Sequence, residues 1–304
     1  MKQRILVLGS EHPIAAKVLA ALAASDWATP VPFLGTPGTL SAETLADVDA
    51  VFNGTAGRPA AIIANAQALY GALGAAGAAL RVVHLSSMTV YGSLRGEARE
   101  STVLRSDIGA YGAAQVVGES LASKCPRSVI LRPGCEYGPD CPEWSIRIAR
   151  LLCAHRLGDL GTAGDGVCNL LFVDDLVSAV VASLRLPDID GHAFNLAMRA
   201  PPTWNEYFVR FARLLGAVPV SRIKRRRLKI EATLLAPPLK ALELVERRIQ
   251  ARSHRVPPPI TSSLLNLCRQ DVTLNVDKAE QVMSMTWMPL QDGLREAAAA
   301  YRRS

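Results

Sequence analysis

The 304-residue sequence contains no apolar run close to the roughly 18 residues that a membrane-spanning helix requires, although 49% of its residues are hydrophobic. Residues 5–8 form a short apolar segment after a basic start and lead into a loop rather than a cleavage site. We interpret them as a first strand and not as a signal peptide. The sequence therefore argues against a transmembrane protein, and its apolar content argues against a largely disordered one.

Metal-ligand and disulfide patterns are also missing. None of the six cysteines stands at the spacing of a paired metal site. We expect no metal, and free thiols in a reducing, cytoplasmic compartment. The six are Cys125, Cys135, Cys141, Cys153, Cys168 and Cys268.

Aromatic residues make up only 5% of the chain, and none interrupts its most basic segment. That segment, residues 222–229, contributes six positive charges to a chain whose formal net charge is +7. Nucleic-acid modules interleave aromatic and basic residues, so we expect no nucleic-acid partner. A solvated helix face, an acidic partner, a phosphorylated substrate and a membrane surface stay open as explanations.

Strand and helix signals alternate through the first two-thirds of the chain. Short apolar runs that end at glycine or serine predict buried strands, and Ala/Leu-rich stretches between them predict helices. This alternation predicts an α/β fold with a doubly wound parallel sheet, and right-handed crossovers make it Rossmann-like. The predicted strands are residues 5–8, 31–34, 50–52, 82–85, 128–132 and 193–196, and the main predicted helices are residues 15–24, 60–73 and 111–123.

Two short motifs follow the fourth predicted strand. Ser87 stands three residues before Val90-Tyr91-Gly92, and Tyr111 opens a predicted helix with Gln115 four positions later. Residues 132–139 and 169–176 follow in an order typical of one family. Together these segments resemble the extended short-chain dehydrogenase/reductases of the NAD-dependent epimerase/dehydratase family, and the resemblance covers nearly the whole chain.

The resemblance implies roles for three of these side chains. Tyr111 would be the acid/base, and Ser87 would hold the reacting oxygen. The family has a lysine where Gln115 stands, and that ammonium favours tyrosinate. A glutamine can bond a ribose hydroxyl but carries no charge. We therefore expect Tyr111 to donate a proton more readily than it accepts one, which favours ketone reduction over alcohol oxidation.

The resemblance also places a dinucleotide over a glycine-rich turn after the first strand. Only Gly9 keeps the pattern, because His12 and Ala15 replace the other two glycines and Pro13 removes an amide donor. Either the loop binds a dinucleotide, with His12 turned outward or bonded to phosphate, or the site is eroded. The residues predicted to contact the cofactor are Gly9, Ser10, His12, Pro13, Ile14, Asn53, Gly54, Thr55, Ala56, Ser86, Tyr111, Gln115, Pro133 and Gly134.

The end of the second predicted strand carries no charged residue over positions 34–38. Members of the family use an acidic residue there to bond the ribose of NAD, or a basic residue to bind the 2′-phosphate of NADP. Absence of a carboxylate removes one source of repulsion against that phosphate. We expect NADP or NAD, with NADP slightly favoured.

We expect residues 1–200 to form the dinucleotide-binding domain, with the loop 136–169 on the substrate side, and residues 201–304 to form a smaller, mostly helical substrate lobe. The predicted substrate contacts are Met88, Thr89, Cys135 and Glu136.

Apolar residues over 230–245 resemble the hydroxysteroid-dehydrogenase-like branch, which predicts an NAD(P)-dependent ketoreductase or dehydrogenase acting on an apolar, secondary-metabolite-like carbonyl or alcohol. A nucleotide-sugar epimerase or dehydratase, and a catalytically weak dinucleotide-binding scaffold or redox sensor, are the alternatives. A homodimer is left open.

Overall fold

The computed structural model describes residues 2–36, 38–77, 80–231 and 258–303. The chain divides into two compact units. The first unit comprises Met1–Gly134, Val173–Arg199 and Leu274–Trp287. The second comprises Cys135–Phe172, Ala200–Thr273 and Met288–Ser304.

The first unit is built on a parallel sheet of six strands in the order β2-β1-β3-β4-β6-β9. Strands β3, β4 and β6 are buried along their whole length, which explains why their apolar residues follow one another without alternation. The strands of this unit are β1 (Gln3–Leu8), β2 (Ala28–Pro32), β3 (Ala50–Asn53), β4 (Arg81–Leu85), β5 (Gly96–Ala98), β6 (Ser128–Pro133) and β9 (Ala193–Leu196).

Helices connect successive strands of the sheet, as parallel pairing requires. Pro13 and Pro59 stand at the first positions of the first and third helices, where a missing amide hydrogen costs nothing. The helices of this unit are α1 (Pro13–Ala24), α2 (Ala42–Leu45), α3 (Pro59–Ala76), α4 (Ala110–Ala122), α6 (Val173–Arg185) and α10 (Asp277–Met283). The sheet and its helices confirm the Rossmann-like α/β fold predicted from the sequence.

The second strand lies at a different place from the one predicted. It spans Ala28–Pro32 and not residues 31–34, so that prediction was wrong in position. β2 is an edge strand, where proline is tolerated because one side of the strand needs no ladder partner. Leu34 lies beyond the strand with 88% of its surface exposed, so the apolar residue used to place the strand is not in the core.

The second unit is mostly helical. Its strands β7 (Cys135–Tyr137) and β8 (Leu170–Phe172) form a short parallel pair. Aromatic residues are scarce in the chain as a whole, but five of them cluster here, with the ring centroids of Trp144 and Trp204 5.3 Å apart. Tyr207, Phe208 and Phe211 complete this aromatic core. The helices are α5 (Arg147–Cys153), α7 (Trp204–Leu215), α8 (Arg225–Ile230), α9 (Ser262–Leu267) and α11 (Leu290–Arg303), and β10 (Val272–Leu274) lies where the chain returns to the first unit.

Some sequence predictions fall outside the described residues. The apolar stretch used to assign the substrate class lies mostly within 232–257, which is not described. Among the residues that are described, no helix is both long and apolar enough to cross a membrane. All six cysteines are free thiols, as expected.

Candidate cofactor and catalytic site

In the sheet of the first unit, the direction in which successive strands are added reverses between β1 and β3. From β1 the chain goes outward to β2 on one side, then returns to β3 on the other. Ligands of doubly wound sheets bind at such a switch point, beyond the carboxyl ends of the strands. Gly9 follows β1 there, and Gly54 follows β3.

Gly9 and Gly54 bring the two loops into direct contact. Gly9 has φ +75°, and a Cβ at this position would lie 2.7 Å from the carbonyl oxygen of Gly54. A side chain is therefore excluded by both conformation and space. Ser10 donates a hydrogen bond to the carbonyl of Phe33, 3.1 Å away, which ties the same loop to the chain after β2.

The loop after β3 is held by its own side chains. The Thr55 hydroxyl donates to the Asn53 side chain at 2.8 Å and accepts from the Asn65 amide of α3 at 2.7 Å. The Asn65 oxygen accepts from the backbone amide of Gly38 at 3.0 Å. Asn53 and Thr55, both predicted to contact the cofactor, are thus buried and engaged within the protein, which leaves backbone atoms and Ala56 as the groups available to a ligand.

His12 is the residue before α1 and makes no side-chain cap to the helix. Its Nδ1 atom is buried and has no hydrogen-bond partner among the described residues. Burial lowers the pKa of the imidazole, an effect that Glu11 partly offsets. The ring is therefore neutral at pH 7 and lies at the position where the resembled family brings backbone close to phosphate. Pro13 and the buried Ile14 are the first two residues of α1.

Ser87 and the start of α4 are brought together by a tight 3₁₀ turn, Met88–Tyr91. The Ser87 hydroxyl accepts a hydrogen bond from the amide of Thr89 at 3.3 Å, so its own hydrogen is available to donate. A Cβ at Gly112 of α4 would lie 3.1 Å from the carbonyl of Thr89, so the glycine after Tyr111 allows the helix to approach the turn. The hydroxyl of Thr89 is buried with no partner in the described part of the chain, and Met88 is buried.

Tyr111 and Gln115 are bonded to each other. The Gln115 side-chain amide donates a hydrogen bond to the Tyr111 hydroxyl at 3.0 Å, so the phenol oxygen is the acceptor in this pair. Gln115 is 1% exposed and Tyr111 is 38% exposed. The other end of the glutamine, its Oε1 atom, is buried and accepts no hydrogen bond from a described residue. An unsatisfied buried acceptor next to the Tyr111 phenol is the kind of group that a ribose hydroxyl would satisfy.

These features fit a nicotinamide dinucleotide. The contact of Gly9 with Gly54 leaves backbone groups at the switch point, and the free Gln115 oxygen stands beside Tyr111. Pro133 ends β6, and the buried Gly134 donates to the carbonyl of Leu196 at 2.9 Å. No group of three or more potential metal ligands occurs among the described residues.

The two predicted substrate residues of the second unit lie on β7. Cys135 is buried, and burial raises the pKa of its thiol well above the usual range, which does not suit a nucleophile. Glu136 alternates to the other face of the strand and is half-buried. Burial raises the pKa of its carboxyl to about 7.

A buried polar network behind the site was not found from the sequence. Glu119 of α4 receives three hydrogen bonds from Arg132 of β6 and one, at 2.5 Å, from the Ser86 hydroxyl. The Ser86 hydroxyl, predicted to contact the cofactor, is therefore already engaged. Arg132 also donates to the hydroxyl of Tyr91 at 2.9 Å. Glu119 stands four residues after Gln115 on the same helix face, and that spacing was a usable signal.

Known proteins agree with this architecture. MoeE5 in complex with UDP-glucose and NAD superposes with a TM-score of 0.71 and 19% identity, over 99% of both chains. UDP-glucuronic acid 4-epimerase from Bacillus cereus in complex with NAD gives 0.71 and 17% over 99% of both chains. RMD from Pseudomonas aeruginosa complexed with NADPH gives 0.71 and 18% over 100% of both chains. At these identities the likeness establishes the fold.

No curated protein sequence matches the chain. A family model does match residues 45–197, a span that begins before β3 and ends after β9, and it includes both the Ser87 turn and the Tyr111 helix. The chain belongs to the NAD dependent epimerase/dehydratase family.

Proposed function

We propose that the chain binds NAD or NADP at the switch point of its sheet and interconverts a carbon–oxygen single and double bond in a small substrate. The observation that carries this proposal is the meeting of the Ser87 turn with the Tyr111 helix. It places the Ser87 hydroxyl and the Tyr111 hydroxyl on two segments that pack closely against each other. A bound nicotinamide ring would supply or remove the hydride.

Each hydroxyl has a distinct task in this proposal. Ser87 donates to the substrate oxygen and holds it, while its own oxygen stays fixed by the Thr89 amide. Tyr111 transfers the proton, and the hydrogen bond from Gln115 orients its phenol without adding charge. Met88, Thr89, Cys135 and Glu136 are proposed to contact the substrate, with residues 201–304 and the loop 136–169 as the substrate lobe.

For the substrate we propose a nucleotide sugar, converted by epimerisation or dehydration. Support comes from the family match and from neighbours in complex with UDP-glucose and UDP-glucuronic acid, each similar over 99% of this chain. The basic segment 222–229 offers charges that suit a diphosphate. This replaces reduction of an apolar carbonyl as the leading proposal.

Carbonyl reduction stays the second candidate because of one observation. Gln115 gives Tyr111 a neutral hydrogen-bond donor where an ammonium would stabilise tyrosinate. A neutral phenol can donate a proton to a developing alkoxide but accepts one poorly. The pair therefore suits reduction better than a cycle that begins with oxidation.

For the cofactor we propose NADP with a slight preference over NAD. The similar structures include complexes with each. The chain after β2 presents the exposed Leu34, so neither a carboxylate that would repel the 2′-phosphate nor a cation that would bind it stands at that residue.

Fluorescence titration with NADH and NADPH tests the binding step, and turnover tests the chemistry. A panel of UDP- and GDP-sugars and of apolar ketones should be incubated with the protein and a small amount of either cofactor. Epimerisation or dehydration leaves the cofactor in its starting redox state, whereas reduction consumes NADPH in proportion to product. Tight binding without turnover of any substrate would favour a scaffold or sensor, and absence of binding would refute the proposal.

A further inference from the structure

The guanidinium of Arg132 stands between the two segments that carry the catalytic hydroxyls. Its Nε and Nη2 atoms donate to the Glu119 carboxylate at 3.0 and 2.7 Å. Its Nη1 atom donates to the Tyr91 hydroxyl at 2.9 Å and to the carbonyl of Glu100 at 3.0 Å. The planar guanidinium thus holds the Glu119 side chain of α4 and the Tyr91 side chain of the 3₁₀ turn at the same time.

Both charged side chains of this arrangement are buried. The side chains of Arg132 and Glu119 are 6% and 1% exposed. Burial alone would lower the pKa of the guanidinium, but its bonds to Glu119 outweigh that effect and raise it. A buried charge pair keeps its geometry because each charge loses heavily if it moves away from its partner.

The Tyr91 branch leads to Ser87. Tyr91 is the last residue of the 3₁₀ turn that Ser87 caps, and it is fully buried. Its hydroxyl accepts from Arg132 and donates to Asn195 of β9 at 2.6 Å. The Asn195 amide in turn donates to the carbonyl of Ala98 at 3.0 Å. Both ends of the short turn are therefore held, one by the Ser87 cap and the other by the tyrosine hydroxyl.

The Glu119 branch leads to Tyr111. Glu119 lies two helical turns after Tyr111 on α4, with Gln115 between them. Arg132 therefore sets the position of this helix face relative to the Ser87 turn. We propose that Tyr91 is a positioning residue that acts through Ser87, and that Arg132 holds the Ser87 turn and the Tyr111 helix in a fixed position relative to each other. This inference rests on the proposed function for its kinetic part only.

A kinetic double-mutant cycle of Tyr91→Phe with Ser87→Ala tests the kinetic part. Phenylalanine keeps the buried ring and removes only the hydroxyl. We expect Tyr91→Phe to lower kcat about tenfold, on the scale by which small misplacements of a reacting group reduce rates, with the cofactor dissociation constant unchanged. In a Ser87→Ala background the same change should have no further effect, because the hydroxyl it positions is gone.

Tyr70→Phe is the matched control, since it removes a tyrosine hydroxyl that is hydrogen-bonded, at 3.1 Å, to the buried His84 of the same unit. It should leave kcat unchanged at equal loss of thermal stability. The proposal would be overturned if Tyr91→Phe lowered kcat by the same factor in both backgrounds, or if Tyr70→Phe lowered kcat as much as Tyr91→Phe, because either result would show a general structural effect.

Hydrogen exchange tests the same proposal without any turnover. In Tyr91→Phe, deuterium uptake of a peptide covering residues 87–92 should rise while uptake over 110–122 stays as in the unaltered chain. Unchanged uptake over 87–92 overturns the positioning role. If uptake rises but the unaltered chain turns over no substrate of the panel, the proposed function fails and the role of Tyr91 in holding the turn stands.

Discussion

Replacing Gln115 with lysine places a positive charge beside the Tyr111 hydroxyl. The present amide nitrogen lies 3.0 Å from that oxygen, and both residues lie on one face of α4, so the ammonium of a lysine can reach the same oxygen. Its attraction acts on the tyrosinate form and not on the neutral phenol. We expect the pKa of Tyr111 to fall.

The size of the shift follows from distance and exposure. At a separation of about 4 Å, two unit charges attract by about 1 kcal/mol in water and about 4 kcal/mol near a protein surface. Because Tyr111 is 38% exposed, the lower part of that range applies. With about 1.4 kcal/mol for each pKa unit, Gln115→Lys should lower the pKa of Tyr111 by about one to two units.

Ultraviolet difference titration of the tyrosinate band measures this shift, with Tyr111→Phe as the reference that assigns the band. The pH optimum for oxidation should move downward by the same amount, and oxidation at neutral pH should gain. Gln115→Met is the matched control, since it removes the hydrogen bond and adds no charge, and it should not lower the pKa. An unmoved titration curve in Gln115→Lys would refute electrostatic coupling between positions 111 and 115.

Three further outcomes are expected. Arg132→Met leaves Glu119 buried without its cation, and it should lower the free energy of unfolding in urea by about 3–5 kcal/mol; a loss below about 1 kcal/mol would contradict the buried pair. Burial lowers the pKa of His84 to about 4 from 6.5. As the pH falls, the unfolded chain binds this proton at a higher pH than the folded chain does. The free energy of unfolding should therefore fall between about pH 6.5 and about pH 4, by up to about 1.4 kcal/mol per pH unit. His84→Gln should flatten that part of a denaturation series. Gly293→Ala should destabilise the second unit by about 1–3 kcal/mol in thermal denaturation, despite the better helix propensity of alanine, because the new Cβ would lie 2.4 Å from the hydroxyl of buried Tyr137.

The sheet was predictable because its strands are buried runs with clear ends. β9 is found at residues 193–196, as predicted, and the bounds of β1, β3, β4 and β6 differ from the predicted ones by at most two residues. β2 was misplaced because edge position and proline tolerance depend on which strands are neighbours, which no local pattern encodes. The reversal of strand order between β1 and β3 places the loop that follows β1 and the loop that follows β3 at the same switch point of the sheet.

The contact between Tyr111 and Gln115 follows from their spacing of four residues, but the buried groups around that contact do not. The spacing of four residues indicates that Glu119 shares a face with Gln115. It does not indicate that Arg132, on a strand, is its partner, since that contact depends on the packing of α4 against the sheet. The hydrogen bond that Gln115 donates to Tyr111, and the lack of a described partner for its Oε1 atom, likewise depend on the tertiary surroundings.

The chain of hydrogen bonds from Asn53 through Thr55 and Asn65 to Gly38 has a thermodynamic consequence. The loop after β3 is already ordered by buried side chains, so binding of the proposed dinucleotide would not have to restrict this loop further. Preorganised sites keep more of their contact energy as affinity, since ordering a loop on association otherwise consumes part of it. The proposed dinucleotide would keep this affinity from the loop after β3, which would offset part of the contacts that His12 and Pro13 remove from the separate loop after β1.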